Sequence, residues 1–220
     1  MESQLSESGY SLGEEIAHAV SHGIGALLSI AGLVVLVTFA SLYGNAWHIT
    51  SSSIYGATLI LLYTASTLYH GIPQPAAKQV LRRLDHAAIF LLIAGTYTPF
   101  TLVNLRGEWG WTLFGLVWGF AILGVVLETA IKRRIKWLSL TLYLGLGWLV
   151  LIAIQPLLEA VATGGLVLLL AGGLCYSLGV IFYVWKRMAY HHAVWHLFVM
   201  AGSLLHFFSI FFYVLPPATG

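Results

Sequence analysis

Seven runs of about twenty predominantly apolar residues constrain this chain more than any other feature of its sequence. A helix needs about 20 such residues to cross the hydrocarbon core of a bilayer. Of the 220 residues, 59% are hydrophobic and only 8% are charged, against roughly 45–50% and 25% in soluble domains. The sequence therefore predicts an all-α, polytopic membrane protein and excludes a soluble domain.

The predicted architecture is one seven-transmembrane helix bundle. A short N-terminal segment, residues 1–15, precedes a membrane domain covering residues 16–215. The predicted spans run from Ile16 to Leu42, Ser52 to His70, Leu84 to Leu105, Trp109 to Ala130, Trp137 to Gln155, Val161 to Trp185 and His192 to Leu215. The proline at position 99, inside the third span, is expected to kink that helix.

The basic residues predict the orientation of the bundle, because cytoplasmic loops carry an excess of Lys and Arg. Of the ten Lys and Arg residues, only Arg106 falls in a loop on the opposite side of the membrane from the other nine. Those nine lie in the loops after spans two, four and six, namely Lys78, Arg82, Arg83, Lys132, Arg133, Arg134, Lys136, Lys186 and Arg187. With seven spans, this distribution predicts a cytoplasmic N-terminus and an outer C-terminus.

The net charge of +2 is too small and too dispersed for a nucleic-acid footprint. We therefore expect no nucleic-acid partner, and the apolar composition makes the lipid bilayer the expected surrounding.

Polar side chains gather at the predicted cytoplasmic ends of the spans. A charged group within a membrane span is costly, so each one near a span is a functional hypothesis. The gathered set contains seven of the nine histidines and the one aspartate of the chain, together with a serine: His18, His22, Ser66, His70, Asp85, His86, His191, His192 and His196.

Two of these histidines have the spacing of a metal-binding pair. His192 and His196 are four residues apart, which places both on one helix face. A catalytic zinc site has three protein ligands and one open position, so a third ligand must come from another helix. His70, at the matching depth on the second span, is the best candidate.

The remaining polar residues predict chemistry around that metal. Ser66, one turn from His70, is a candidate donor to a metal-bound oxygen or a substrate carbonyl. Asp85 is a candidate to orient or deprotonate the water, or to hold a ligand imidazole through its second nitrogen. His18 and His22 form a second pair with four-residue spacing. They either compete for the metal or supply further polar contacts.

Each histidine also has a simpler interpretation. A lone histidine at a helix end is more often an interfacial or hydrogen-bonded residue than a ligand, so the zinc prediction rests on the conjunction of three. His206 lies about 21 Å along the helix from His192. It cannot share the metal and is interpreted as an interhelical histidine.

Several motifs on separate helices resemble those of the bacterial hemolysin III family. They are Glu15-Ile-Ala-His18-Ala-Val-Ser-His22-Gly, Ser66-Thr-Leu-Tyr-His70, Leu84-Asp85-His86-Ala-Ala-Ile, Ala94-Gly-Thr-Tyr-Thr-Pro99-Phe and His192-Ala-Val-Trp-His196. That family is the bacterial branch of the progestin and adiponectin receptor group, which is related to the alkaline ceramidases.

The resemblance implies seven helices, a cytoplasmic N-terminus and an intramembrane zinc held by His70, His192 and His196. It also implies Asp85 and Ser66 as the motif aspartate and serine. Related sequences often carry Asn at the position of His18. This departure leaves open whether the first helix adds a ligand.

Three functions follow as hypotheses. The preferred one is a zinc-dependent hydrolase of a lipid amide or ester bond, with a role in membrane lipid homeostasis, in a bacterial inner membrane. The second is a membrane sensor or receptor-like protein with structural zinc, which a fourth protein ligand would favour. The third is a channel or cytolysin, which needs a continuous polar path that the outer half of the spans does not provide beyond His206.

Overall fold

The computed structural model describes residues 9–131 and 135–217, and all regular secondary structure within them is helical. The elements are α1 (Leu12–Tyr43), α2 (Ala46–Gly71), α3 (Pro75–Pro99), a π-helical turn (Phe100–Asn104), α4 (Glu108–Ala130), α5 (Lys136–Gly147), a 3₁₀ segment (Leu149–Ala153), α6 (Ile154–Ala160), α7 (Thr163–Val184) and α8 (His191–Tyr213). The basic residues Lys132, Arg133 and Arg134, which entered the orientation argument, lie outside the described residues.

Six stretches of the described chain are long and apolar enough to cross a membrane. They are Leu12–Tyr43, Pro75–Asn104, Glu108–Ala130, Lys136–Ala160, Thr163–Val184 and His191–Tyr213. The molecule is therefore an all-helical membrane protein with several spans. The predicted second span, Ser52 to His70, corresponds to α2 and is not among the six.

The composition of α2 explains this difference. The helix packs between α1 and α3 and buries much of its length inside the bundle, including Ser51, Thr58 and Ser66. A helix that is surrounded by other helices need not be apolar on all sides, because neighbouring groups satisfy its polar side chains. Its hydroxyl-rich buried face lowers its mean hydropathy, although the helix is 26 residues long.

The third and fifth predicted spans depart from regular α-helix in the structure. Helix α3 begins at Pro75, earlier than the predicted Leu84, because proline is well suited to the first turn of a helix. Directly after Pro99 the chain forms the π-helical turn, in which the Leu105 N–H donates to the Phe100 carbonyl (2.8 Å). Proline lacks an N–H, so the regular ladder of hydrogen bonds is disrupted there.

The predicted fifth span is broken after Gly147. At the break, the Tyr97 hydroxyl contacts the carbonyl oxygens of Leu146 and Gly147 at 3.1 and 2.8 Å. The same hydroxyl oxygen accepts a hydrogen bond from the Val150 N–H (2.9 Å). A side chain of α3 thus satisfies backbone groups that a continuous helix would have paired internally.

The packing of the helices leaves an interior space. Helix α5 packs against α3 and α4, whereas α7 packs against α8. The two groups are joined where the Trp148 indole N–H donates to Ser177 Oγ (3.0 Å). A cavity therefore lies between α3 and α5 on one side and α7 and α8 on the other, with α2 closing its end.

Candidate functional site

Five imidazoles from three helices meet at one end of the bundle. Helix α1 supplies His18 and His22, α2 supplies His70, and α8 supplies His192 and His196. The N-terminal ends of α1 and α8 and the C-terminal end of α2 therefore converge, as the sequence predicts. All five side chains are buried.

His70, His192 and His196 form a group that could hold a metal ion. Each offers a ring nitrogen, and the three nitrogens lie within 4.8 Å of one another. The ring centroids of His192 and His196 are 4.6 Å apart, and that of His70 lies 5.2 and 5.3 Å from them. The structure thus brings together the three residues predicted as zinc ligands.

The protonation of His70 follows from its neighbours. Its Nδ1 lies 2.6 Å from Oε2 of Glu15, and an ionised carboxylate only accepts hydrogen bonds. Nδ1 therefore carries the proton and donates it to Glu15. The other ring nitrogen, Nε2, is buried and has no hydrogen-bond partner among the described residues. A ligand histidine held by a carboxylate through its second nitrogen is the usual arrangement at metal sites.

His196 has the same protonation for a different reason. The Ser21 hydroxyl donates its proton to the His18 carbonyl (2.9 Å), so its oxygen is left to accept. Nδ1 of His196 lies 3.0 Å from that oxygen and is therefore the donor. In a neutral ring this leaves Nε2 of His196 with an unprotonated lone pair. In their neutral forms, His70 and His196 thus both have Nε2 as the ring nitrogen that could bind a metal ion.

Glu15 is itself held in place by a buried lysine. Lys78 Nζ lies 2.9 Å from Oε1 of Glu15 and donates to the Tyr69 carbonyl at 3.0 Å. Lys78 is only 5% exposed. One carboxylate oxygen therefore pairs with Lys78 and the other accepts from His70. Glu15, His18 and His70 also form a group with metal-binding spacing, but these two contacts make Glu15 a positioning residue for His70.

His18 and His22 adjoin the triad without the same hydrogen bonds. Both nitrogens of each ring are buried and have no hydrogen-bond partner among the residues that the structure describes. The His18 centroid lies 4.6 Å from His70 and 4.8 Å from His192. The His22 ring stacks on His196 at 3.4 Å. Both residues are therefore placed to contact whatever the triad holds.

The segment before α1 covers one side of the cluster. The Tyr10 ring lies 4.8 Å from the His18 centroid and stacks over His192 at 5.4 Å. Burial raises the pKa of the Tyr10 phenol well above its usual value. The cover is tied down where the backbone N–H of Tyr190 donates to Oε1 of Glu14 (3.2 Å).

A cavity reaches the cluster from the opposite side. Its volume is about 340 Å³, and at the cluster end it is lined by His192 and His196 together with Ser66 and Asp85. Most of its wall is apolar. It extends along α3 and past the π-helical turn as far as Leu105, twenty residues from Asp85 and thus roughly 30 Å away at the rise of a helix. Volume and lining are those of a site for an elongated apolar ligand.

Ser66 and Asp85, the predicted donor and base, both line this cavity. Both side chains are buried, and Ser66 Oγ has no hydrogen-bond partner within the described chain. His206 lies deeper, and its Nε2–H donates to the Leu169 carbonyl of α7 at 3.1 Å. The interpretation of His206 as an interhelical histidine is confirmed.

Four residues of the site are not among the site residues that the sequence predicts. They are Tyr10, Ser21, Glu15 and Lys78. A signal existed for Glu15, since an acidic residue three positions before His18 in an apolar helix is costly without a partner. Lys78 gave no such signal, because a lysine within five residues of two arginines is typical of a cytoplasmic loop.

Removing the lysine should destabilise the protein. Breaking one partner of a buried ion pair costs about 3–5 kcal/mol, so Lys78→Met should lower the thermal midpoint in detergent by at least about 6 °C. The exposed Lys186 provides the control, because Lys186→Met should change stability by less than about 0.5 kcal/mol. The double variant Glu15→Gln/Lys78→Met should recover part of the loss. Equal midpoints for the two single variants would contradict the ion pair.

Comparison with known proteins places the chain in a family. The family model described as haemolysin-III related matches residues 10–207. The chain is 48% identical to "Hemolysin-3" of Bacillus cereus over 206 residues, which cover 94% of each protein. It is also 48% identical to "Hemolysin-3 homolog" of Bacillus subtilis (strain 168) over 204 residues, covering 93% of this chain and 96% of the relative.

A more distant similarity extends to animals. The human "Monocyte to macrophage differentiation factor" is 27% identical over 205 residues, covering 90% of this chain and 84% of the human protein. The family match and the two bacterial relatives agree over nearly the whole chain. This membrane protein therefore belongs to the haemolysin-III related family.

Proposed function

We propose that the protein is a zinc-dependent hydrolase that cleaves an amide or ester bond of a membrane lipid and contributes to membrane lipid homeostasis. One observation carries this proposal. In their neutral forms, His70 and His196 present Nε2 lone pairs beside His192, and His192 and His196 line the end of an apolar cavity together with Ser66 and Asp85. Three imidazole ligands with one open position are typical of catalytic zinc.

Each residue of the site has a distinct role in the proposed reaction. His70, His192 and His196 hold the zinc, which when bound supplies a Lewis acid that polarises a carbonyl and activates water. Asp85 accepts the proton of the attacking water. Ser66 donates a hydrogen bond to the oxygen on which charge develops. Glu15 keeps Nδ1 of His70 protonated and so directs Nε2 to the metal.

The cavity would bring the substrate to these groups. A lipid whose acyl chain fills the apolar part of the cavity places its polar linkage near His192 and His196. The Tyr10 side of the cluster is covered, so the acyl chain would arrive from the bilayer.

Metal analysis and a lipid panel test the proposal together. Detergent-purified wild type should contain about one zinc per chain, and His70→Ala and His192→Ala/His196→Ala should each lose it. His48→Ala is the matched control, because His48 lies at the opposite end of α2 and should leave the metal in place. Asp85→Asn should keep the zinc and lower lipid hydrolysis by about 10²–10⁴-fold.

Metal retained in both histidine variants would overturn the assignment of the triad. A zinc-loaded wild type that releases no product from a broad panel of amide- and ester-linked lipids would overturn the hydrolase.

The second candidate, a sensor with structural zinc, is favoured by one observation. His18 is fully buried, and neither of its nitrogens has a hydrogen-bond partner among the described residues. As a fourth ligand it would close the tetrahedron and remove the open position. His18→Ala separates the candidates, because it should retain the zinc in the hydrolase and lose it in the sensor.

We further propose that α2 also crosses the membrane, which brings the number of spans to seven. We propose that the N-terminus is cytoplasmic and that the membrane is a bacterial inner membrane. Lys78, Arg82 and Arg83 at the start of α3, and Lys186 and Arg187 before α8, lie at the same end of the bundle as the histidine cluster. Loops on the cytoplasmic side carry such an excess of basic residues. With seven spans, the C-terminus is then outside.

Reporter fusions to the C-terminus check this topology. Alkaline phosphatase, which is active only outside the cytoplasm, should be active there, and green fluorescent protein should be dark. The same reporters fused after Arg187 should behave in the opposite way. A bright C-terminal fluorescent fusion would contradict seven spans with a cytoplasmic N-terminus.

A further inference from the structure

A second polar cluster lies about halfway along the cavity, away from the histidine triad. Three tyrosines converge on Ser203 of α8. Tyr55 donates to the Ser203 carbonyl (3.2 Å), Tyr63 donates to Ser203 Oγ (2.7 Å), and the Tyr176 hydroxyl lies 2.8 Å from the same Oγ. Polar groups at this depth in a membrane protein are costly. Tyr55 and Tyr63 are fully engaged in holding α2 to α8.

Tyr176 is not fully engaged by these contacts. Ser203 Oγ already accepts from Tyr63, so it either donates its own proton to Tyr176 or accepts a second bond from it. In the first case the Tyr176 proton remains available, and in the second its oxygen lone pairs do. Tyr176 is half-buried and lines the cavity. It therefore offers the cavity either a donor or an acceptor.

His206 offers a complementary atom beside Tyr176. Its Nε2–H donates to Leu169, so its Nδ1 carries a lone pair, and this buried nitrogen has no partner in the described part of the chain. The ring also lines the cavity, with its centroid 5.4 Å from that of Tyr176. It packs closely over Gly172, where any side chain would collide with it.

These two side chains suit a hydroxyl group better than a carbonyl. A hydroxyl donates its one proton to His206 Nδ1, and its oxygen accepts the Tyr176 proton when Ser203 Oγ donates to Tyr176. A carbonyl only accepts and would leave His206 Nδ1 without a partner. The neighbouring wall is apolar and includes Leu166, Leu169 and Val199.

The depth of the pair defines where that hydroxyl sits in the ligand. His206 follows His196 by ten residues on α8, or about 15 Å along the helix. A chain whose polar head lies at the triad would therefore carry the hydroxyl near its middle.

We propose that Tyr176 and His206 form a subsite for the mid-chain hydroxyl of a hydroxylated fatty acyl chain. The proposal rests on the proposed function only in that it takes the cavity to hold a lipid with its head at His192 and His196. It defines the substrate class as lipids with such a chain. The unmodified acyl chain leaves this subsite unused.

Competition binding to the purified, detergent-solubilised protein tests the subsite. The probe is cis-parinaric acid, a fluorescent fatty acid, and the competitors are octadecanoic acid, 2-hydroxyoctadecanoic acid and 12-hydroxyoctadecanoic acid. The 12-hydroxy acid should displace the probe at about fivefold lower concentration than the other two acids. This ratio is the gain in affinity expected from one net hydrogen bond. The comparison within the wild type requires no variant to fold.

Two variants then locate the effect. Tyr176→Phe removes only the hydroxyl at the cavity wall and should abolish the preference for the 12-hydroxy acid. Tyr55→Phe removes a hydroxyl from the same network, but Tyr55 is fully buried behind the wall, and this variant should keep the preference.

Each other result has a definite meaning. Equal displacement by all three acids in the wild type, or a preference that persists in Tyr176→Phe, would overturn the subsite and leave the lipid cavity of the proposed function intact. If cis-parinaric acid does not bind to the wild type, the cavity does not hold an acyl chain, and the subsite and the substrate route of the proposed function both fail.

Discussion

The hydrogen bond from His70 to Glu15, with Lys78 on the other carboxylate oxygen, is the interaction on which the candidate site depends. Lipid cannot solvate a buried carboxylate or ammonium group, so each must find its partner within the protein. The three residues come from α1, α2 and α3 and therefore fix these helices relative to one another. The same contacts decide which nitrogen of His70 is available. Stability and the chemistry of the site thus have a common origin.

The cluster separates two environments. On one side, Tyr10 lies over His18 and His192, and Glu14 ties this cover to the start of α8. On the other side, an apolar cavity extends through the bundle. This cavity begins at the histidines and extends over a distance close to the thickness of the hydrocarbon core, about 30 Å. Such a shape favours a ligand that is apolar along its length and polar where it meets the cluster.

The lengths of the apolar runs predict most of the helices, but not every feature of the fold. The apolar runs identified the helices, but α2 does not reach the apolar character of a span because its buried face carries hydroxyl groups. The break after Gly147 was not predicted. It depends on Tyr97, fifty residues away in sequence, whose hydroxyl pairs with the carbonyl of Gly147. A local hydropathy pattern contains no information about such a distant partner.

The candidate site likewise has residues that the local sequence predicts and residues that depend on distant partners. Four-residue spacing found His192 and His196, and matching depth found His70, because helix geometry relates these positions directly. The roles of Ser21 and Lys78 could not be predicted. Ser21 matters because its proton is already used by a backbone carbonyl, which makes His196 the donor. Lys78 matters because α3 begins early enough to place it beside Glu15.

We propose that His70, His192 and His196 hold one zinc ion and leave one coordination position open towards the cavity. X-ray absorption spectroscopy at the zinc edge of the purified protein measures the number and type of ligands directly. The account predicts three imidazole nitrogens at about 2.0–2.1 Å and one further oxygen ligand. A shell of four imidazoles would contradict the open position, and a zinc shell without imidazole would contradict the site itself.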